Sequence, residues 1–149
     1  MNKVEVIGVT GLPVIKEGDD LAKMICEAAG RQRTPIQNGD IIVITHVIVS
    51  RAEGNVVNLD NVIPSDFAKA FAKQFNKDPK HIEVILRESR SIVRMGDGKL
   101  ITETKHGFVC ANSGVDYSNV PGNRRVALLP QNSDSSAREI RQKIRKLTG

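Results

Sequence analysis

The densest group of polar side chains lies between His106 and Asn119, where small and apolar residues lead into amides, hydroxyls and one carboxylate. The carboxylate of Asp116 suits a hard divalent cation, which takes oxygen ligands and often only one or two protein carboxylates beside phosphate oxygens. Ser118 and Asn119 follow closely enough to orient a phosphate or a base. The alternative is an ordinary turn in which the Asp and Asn side chains hydrogen-bond to their own backbone.

Two further segments are suited to binding a phosphate. Arg51 follows a long β-branched run and stands near Gly54, and a guanidinium binds oxyanions through two parallel hydrogen bonds. The alternative for Arg51 is a surface ion pair with Glu53. The other segment follows the first predicted strand, and its glycine permits close approach of the backbone to a ligand. It consists of Thr10, Gly11, Leu12 and Pro13.

Other residues that could carry chemistry are more simply explained by packing. His46 lies inside the β-branched run and is predicted to be a hydrogen-bonded core residue. Cys26 and Cys110 lack partners at metal-binding spacing and are predicted to be small buried residues or free thiols. The sequence contains no glycine-rich phosphate loop, no dinucleotide-binding glycine motif, no zinc-protease motif and no serine-hydrolase motif.

The fold that must position these segments is predicted to be α+β. Nearly continuous Ile, Val and Thr from Ile41 to Ser50 predict a strand covered on both faces, at the centre of the sheet. We expect a single domain over residues 1–149, with a mixed sheet of about five strands and about four helices. The other predicted strands are Val4–Val9, Ile92–Val93, Leu100–Ile101, Phe108–Ala111 and Val126–Leu129, and the predicted helices begin near Asp20, Ser65 and Pro79 or carry Ala137, Ile140, Ile144 and Leu147.

Composition and charge exclude several classes of protein. The chain has 149 residues, 40% of them hydrophobic and 26% charged, as in ordinary globular proteins. It has no run of about 20 apolar residues, so we expect no membrane span and a cytoplasmic protein. Residues 135–147 hold five basic residues against Glu139 and account for most of the net charge of +5. Because the remainder is nearly neutral and only 3% aromatic, nucleic acid is not an expected partner.

Four segments, taken in order, resemble the coenzyme F-420-0:L-glutamate ligases, the γ-glutamyl ligases of the CofE type. The resemblance extends over nearly the whole chain, from Val4 to Gly149, and its longest and most distinctive block contains Asp116. The matching segments are GLPVIKEGDDL at 11–21, SRAEG at 50–54, ITETKHGFVCANSGVDYSNV at 101–120, and LLP at 128–130 followed by the helix that contains Ser136 and Ala137.

The resemblance implies a ligase that uses GTP and a divalent metal, Mn²⁺ or Mg²⁺ with K⁺ as a further candidate, to join L-glutamate to a deazaflavin cofactor precursor. The carboxylate would be phosphorylated first, and the glutamate amine would then attack the acyl phosphate. By the same analogy Asp116 would hold the metal, and the nucleotide would be contacted by Thr10, Gly11, Leu12, Pro13, His46, Val47, Arg51 and Asn119.

The sequence also departs from the family pattern. Family members are longer, with a second half that opens with a strand and an Asp-Thr-containing metal motif. Lys is common at the position of Arg51, and small hydroxyl or amide residues are usual at His46 and Val47. The resemblance therefore implies a partner, either a second copy in a homodimer or a separate C-terminal half. The alternative is a non-catalytic nucleotide-binding or self-associating interaction domain that uses the terminal helix, apolar on one side and basic on the other.

Overall fold

The computed structural model describes residues 3–117 and 124–149. They form two compact units, one made of the chain up to Gly54 together with Pro130–Gly149, and the other made of Asn55–Leu129. The described residues contain five α-helices and five strands, which confirms the predicted α+β class and the number of strands. The prediction of a single domain over residues 1–149 stays a prediction.

The bounds of the elements are as follows. The helices are α1 (Leu21–Arg31), α2 (His46–Ala52), α3 (Asp66–Phe75), α4 (Pro79–Glu88) and α5 (Ser133–Thr148). The strands are β1 (Val56–Asn58), β2 (Ser89–Gly96), β3 (Lys99–Thr104), β4 (Val109–Ala111) and β5 (Arg125–Ala127). None of these helices is both long enough and apolar enough to cross a membrane.

The first unit is a small helical core. Asp20 caps α1 by accepting a hydrogen bond from the Lys23 N–H at 3.2 Å, which satisfies one of the free donors at a helix start. Apolar residues recur on one face of α1, so that Leu21 and Ile25 are buried against Val49 of α2. Ile140 of α5 packs against the same cluster.

The predicted strands Val4–Val9 and Ile41–Ser50 are wrong. Residues 4–9 and 41–45 form neither helix nor strand, and residues 46–52 form α2. A β-branched run favours a strand only where a neighbouring strand satisfies its N–H and C=O groups, and the described residues supply no such neighbour. His46 is therefore the first residue of a helix rather than a residue inside a strand.

The second unit packs two helices against antiparallel strands. Ser65 caps α3, Asp78 caps α4, and Pro79 occupies the first turn of α4. The Asp97-Gly98 turn joins β2 to β3, as predicted, and β3 pairs on its other edge with β4. Strands β1 and β5 form a separate antiparallel pair. The core between helices and strands includes Phe71, Ile85, Leu100 and Val126.

Candidate functional site

The turn that precedes Asp116 has an unusual backbone. Asn112, Ser113 and Gly114 all have positive φ, at 55°, 53° and 68°. Positive φ is rare outside glycine and is kept only where the surroundings enforce it. At position 114 only glycine fits, because a Cβ there would lie 2.9 Å from the Leu129 side chain.

A chain of buried hydroxyls enforces this turn. The Ser113 Oγ lies 2.7 Å from the Oγ1 of Thr102 and 2.7 Å from the Oγ of Ser89. The Ser113 N–H donates to the Thr102 Oγ1 at 3.0 Å, and the Ser89 hydroxyl donates to the Ile85 carbonyl at 2.6 Å. The Ser113 hydroxyl also donates to the Ile85 carbonyl at 3.2 Å, so the three hydroxyls and this carbonyl form one hydrogen-bonded cluster. The turn is thereby tied to β3, to β2 and to the last turn of α4.

Asp116 follows this turn and is held by its backbone. Its N–H donates to the Ala127 carbonyl at 2.9 Å, and the Ala127 N–H donates to the Asp116 carbonyl at 2.8 Å. The residue is half-buried. The backbone that carries the Asp116 carboxylate is therefore held by two hydrogen bonds to Ala127.

The residue after Asp116 contacts a histidine. The rings of Tyr117 and His81 lie 5.4 Å apart. The His81 Nε2 is buried, with no hydrogen-bond partner in the described part of the chain. Burial lowers the pKa of His81 below its ordinary 6.5; the charge of Asp78 opposes this shift and that of Lys77 adds to it.

An arginine beyond residues 118–123 is held by two acidic residues. Arg124 donates to Asp60 at 2.6 Å and to Asp78 at 3.2 Å. The hydrogen bond to Asp60, more than any other contact, raises the pKa of the Arg124 guanidinium. Asn119, predicted to contact the nucleotide, lies outside the described residues.

The metal prediction for Asp116 stays a prediction. Residues 3–117 and 124–149 contain no group of three His, Cys, Asp or Glu side chains close enough to hold a metal ion. The donor set that they offer is one carboxylate on rigid backbone. This donor set fits a hard cation that takes its other ligands from phosphate oxygens and water.

In the first unit, the structure brings together two of the predicted nucleotide-binding segments. Arg51, in the last turn of α2, donates a hydrogen bond to the Ile15 carbonyl, two residues after Pro13. Gly11 has a φ of 74°, and apart from its chain neighbours no heavy atom of the described residues lies within 4 Å of the place where its Cβ would be. The N–H and hydroxyl of Thr10 both donate to the Gln32 side chain, at 2.9 and 3.0 Å.

The other two predicted contacts in this unit lie at the start of α2. The Val47 side chain is buried in the unit, so only its backbone could reach a nucleotide. His46 is half-buried, and its Nε2 has no hydrogen-bond partner among the residues that the structure describes. The nucleotide roles of both residues stay predictions.

Sequence reasoning missed the residues that position these groups. The hydroxyl cluster consists of residues that are far apart in sequence and belong to no motif, namely Ser89, Thr102 and Ser113. It could not be predicted without knowing how the strands pair. Gln32 gives no signal either. The only available indication was Ser113 itself, a hydroxyl between Asn112 and Gly114 in the block that contains Asp116.

Comparison with models of known protein families shows which family the chain belongs to. The model of the F420-0:Gamma-glutamyl ligase family matches residues 10–149. The chain belongs to this family. The resemblance seen in the sequence is thereby confirmed, and the match includes both the Arg51 segment and the turn before Asp116.

Individual γ-glutamyl ligases show the same similarity. The chain is 49% identical to the coenzyme F420:L-glutamate ligase of Methanocaldococcus jannaschii over 149 residues, which cover 99% of this chain and 56% of that protein. It is 48% identical to the ligase of Methanopyrus kandleri over 135 residues, covering 91% and 51%. It is 42% identical to that of Methanothermobacter thermautotrophicus over 146 residues, covering 98% and 58%. The chain thus spans about half the length of these relatives.

Proposed function

We propose that this chain is the nucleotide- and metal-binding part of a γ-glutamyl ligase that joins L-glutamate to a deazaflavin cofactor precursor, F420-0, at the expense of GTP. The observation that carries the proposal is the position of Asp116, on backbone fixed by the left-handed turn before it and by the pairing with Ala127. Family membership supplies the reaction class, since the relatives are named coenzyme F420:L-glutamate ligases.

The proposed reaction has two steps. In the first, a carboxylate oxygen of the precursor attacks the γ-phosphorus of GTP, so that an acyl phosphate forms and GDP leaves. In the second, the amine of L-glutamate attacks the acyl carbon, inorganic phosphate leaves, and the nitrogen loses a proton as the amide forms. Asp116 would hold Mn²⁺ or Mg²⁺, which would supply positive charge to offset the negative charge of the phosphate oxygens. K⁺ is a further candidate cation in this proposal.

The residues of the first unit would contribute to nucleotide binding. A guanidinium has five N–H donors, and Arg51 uses one on the Ile15 carbonyl. This bond keeps the positive charge beside the loop that contains Gly11, whose backbone is open to a ligand. In the proposal, Arg51 and the N–H groups of Gly11 and Leu12, which lie between Thr10 and Pro13, bind phosphate, and Asn119 and the start of α2 contact the rest of the nucleotide.

The test is Mn²⁺ binding by the full chain in the presence of GTP, with free Mn²⁺ followed by electron paramagnetic resonance. We expect Asp116→Asn to raise the Kd for Mn²⁺ by at least about tenfold, because it removes the anionic oxygen ligand. Asp97→Asn is the matched control, because it makes the same charge change in an exposed turn of the same unit and should leave the Kd within about twofold.

Two results would contradict the proposal. One is wild-type protein that retains no Mn²⁺ when GTP is present. The other is an equal effect of Asp97→Asn and Asp116→Asn. Thermal unfolding midpoints of the three proteins, compared under the same conditions, separate loss of a ligand from loss of the fold.

The complete ligase would need more than this chain. The curated relatives are nearly twice as long, and we propose that the remaining groups of the active site come from a second copy in a homodimer or from the part of the family's polypeptide that this chain does not span. Turnover is therefore proposed for the complete assembly.

A further inference from the structure

The loop of residues 8–14 is held at its start by one side chain, that of Gln32. Gln32 follows directly after α1 and is half-buried. Its carboxamide oxygen accepts from both the N–H and the hydroxyl of Thr10, at 2.9 and 3.0 Å. Its carboxamide nitrogen donates to the Gly8 carbonyl and to the Thr34 hydroxyl, each at 3.0 Å. A carboxamide has two acceptor positions and two donor hydrogens, so Gln32 uses all four within the first unit.

The partners of Gln32 require a carboxamide at this position. The Thr10 N–H can only donate and the Gly8 carbonyl can only accept, so the oxygen of the carboxamide must lie toward Thr10 and its nitrogen toward Gly8. Gln32→Glu would remove both donors. Gln32→Met would remove all four hydrogen bonds while nearly keeping the length of the side chain.

The same loop is held again at its other end. Arg51 donates to the Ile15 carbonyl, and the Ile15 side chain is buried in the core of the first unit. The Lys16 N–H donates to the Asp19 carboxylate at 2.7 Å. Because residues 11–14 lie between two fixed ends, they have less conformational freedom to lose when a ligand binds.

Backbone donors between these two ends are left for a ligand. Among the residues that the structure describes, no hydrogen bond reaches the N–H groups of Gly11, Leu12 and Val14. The Leu12 side chain packs against the core of the unit, which holds this part of the loop in place. Backbone N–H groups that are fixed and have no partner are suited to bind the oxygens of an anion.

We propose that Gln32 is a positioning residue for nucleotide binding, which fixes the loop at Gly8 and Thr10 and thereby holds the N–H groups of Gly11 and Leu12 in one arrangement. This inference rests on the proposed function, because it takes residues 10–13 as the nucleotide-binding loop. Gln32 acts through the loop and not on the nucleotide, since its carboxamide is fully used within the chain. The single proton of the Thr10 hydroxyl is likewise donated to Gln32.

The first test is NMR relaxation of the backbone amides in the full chain without nucleotide. In wild-type protein we expect order parameters of about 0.8 at Gly11 and Leu12, and in Gln32→Met a fall to below about 0.6. The order parameter of Ile25 in α1 should not change, because only the loop is released. Gln142→Met makes the same substitution at an exposed position of α5 in the same unit. It is the matched control and should leave all three values as in the wild type.

The second test is the Kd for GTP, measured by isothermal titration calorimetry with Mg²⁺ present. We expect Gln32→Met to raise this Kd by at least about tenfold, because the loop must then be ordered on binding. Gln142→Met should leave it within about twofold. Thr10→Val removes the hydroxyl but keeps the N–H. It should raise the Kd in the wild type and have no further effect in Gln32→Met, since both changes remove the same hydrogen bond.

Different results would contradict the inference and the proposed function. Unchanged order parameters at Gly11 and Leu12 in Gln32→Met, or an unchanged Kd for GTP, would overturn the role of Gln32. Additive effects of Gln32→Met and Thr10→Val on the Kd would also overturn it, because Gln32 would then not act through Thr10. A wild-type chain that binds no GTP would contradict the proposed function and with it the nucleotide role of Gln32, whereas the order parameters would still show whether Gln32 holds the loop.

Discussion

At the scale of single residues, His81 is a titratable group whose Nε2 has no hydrogen-bond partner among the described residues. Its Nε2 is buried beside the ring of Tyr117, and burial lowers the pKa of its imidazole. The unfolded chain therefore binds a proton at this histidine more readily than the folded chain does. By linkage, the contribution of His81 to the free energy of unfolding is fully present above the unfolded pKa of about 6.5. It is lost as the pH falls from that value through the lowered pKa of the folded chain.

We therefore expect His81→Gln to reduce the pH dependence of stability. Between pH 7 and pH 5, wild-type protein should lose more unfolding free energy than the variant, by about 1.4 kcal/mol for each unit that separates the folded from the unfolded pKa. Urea unfolding at several pH values measures this. His106→Gln, at an exposed position in the β3–β4 turn, is the matched control for the loss of a histidine. Parallel curves for wild type and His81→Gln would show that the histidine titrates normally.

At the scale of elements, the turn before Asp116 depends on contacts from three other elements. Ser89 at the start of β2, Thr102 on β3 and the Ile85 carbonyl of α4 all meet at Ser113. The Ile85 carbonyl, in the last turn of α4, accepts from the hydroxyls of Ser89 and Ser113, as carbonyls at a helix end need donors beyond the helix ladder. The cost of the left-handed backbone at Asn112 and Ser113 is offset by these buried hydrogen bonds.

We expect Ser113→Ala to lower the free energy of unfolding by about 1–3 kcal/mol, because it removes the hydrogen bonds of the Ser113 hydroxyl with the buried Thr102 and the half-buried Ser89. Ser91→Ala is the matched control. The Ser91 hydroxyl lies on the same pair of strands but is exposed, and its hydrogen bond goes to the side chain of Glu103, so the change should stay within about 0.5 kcal/mol. Urea denaturation checks both values. A Ser113→Ala protein as stable as Ser91→Ala would mean that the hydroxyl chain does not hold the turn.

The elements also show what the sequence could predict and what it could not. Local signals such as Asp20, Ser65, Pro79 and Asp97-Gly98 placed helix starts and a hairpin turn correctly, because their hydrogen bonds close within a few residues. The prediction of a strand over Ile41–Ser50 was wrong, because whether such a run becomes a strand depends on a partner strand that is distant in sequence. For the same reason Asp116 could be singled out from its sequence block, whereas the Ser113 cluster could not.

At the scale of the whole molecule, the two units differ in the size of their cores. In the described residues, the main cluster of the second unit has eleven buried apolar residues, and that of the first has four. Buried apolar area is the main favourable contribution to folding. The second unit, with the larger buried cluster, should therefore open less often than the first unit.

Native-state hydrogen exchange of the whole chain should therefore show a gradient of protection. We expect the amides of Thr102 and Val126 in the second unit to exchange at least about tenfold more slowly than that of Ile25 in the first, because local opening is easier where fewer apolar contacts are lost. The Asp97 amide in the hairpin turn provides the fast reference. Equal protection of Ile25 and Thr102 would contradict the prediction, since it would mean that the chain opens as one cooperative body.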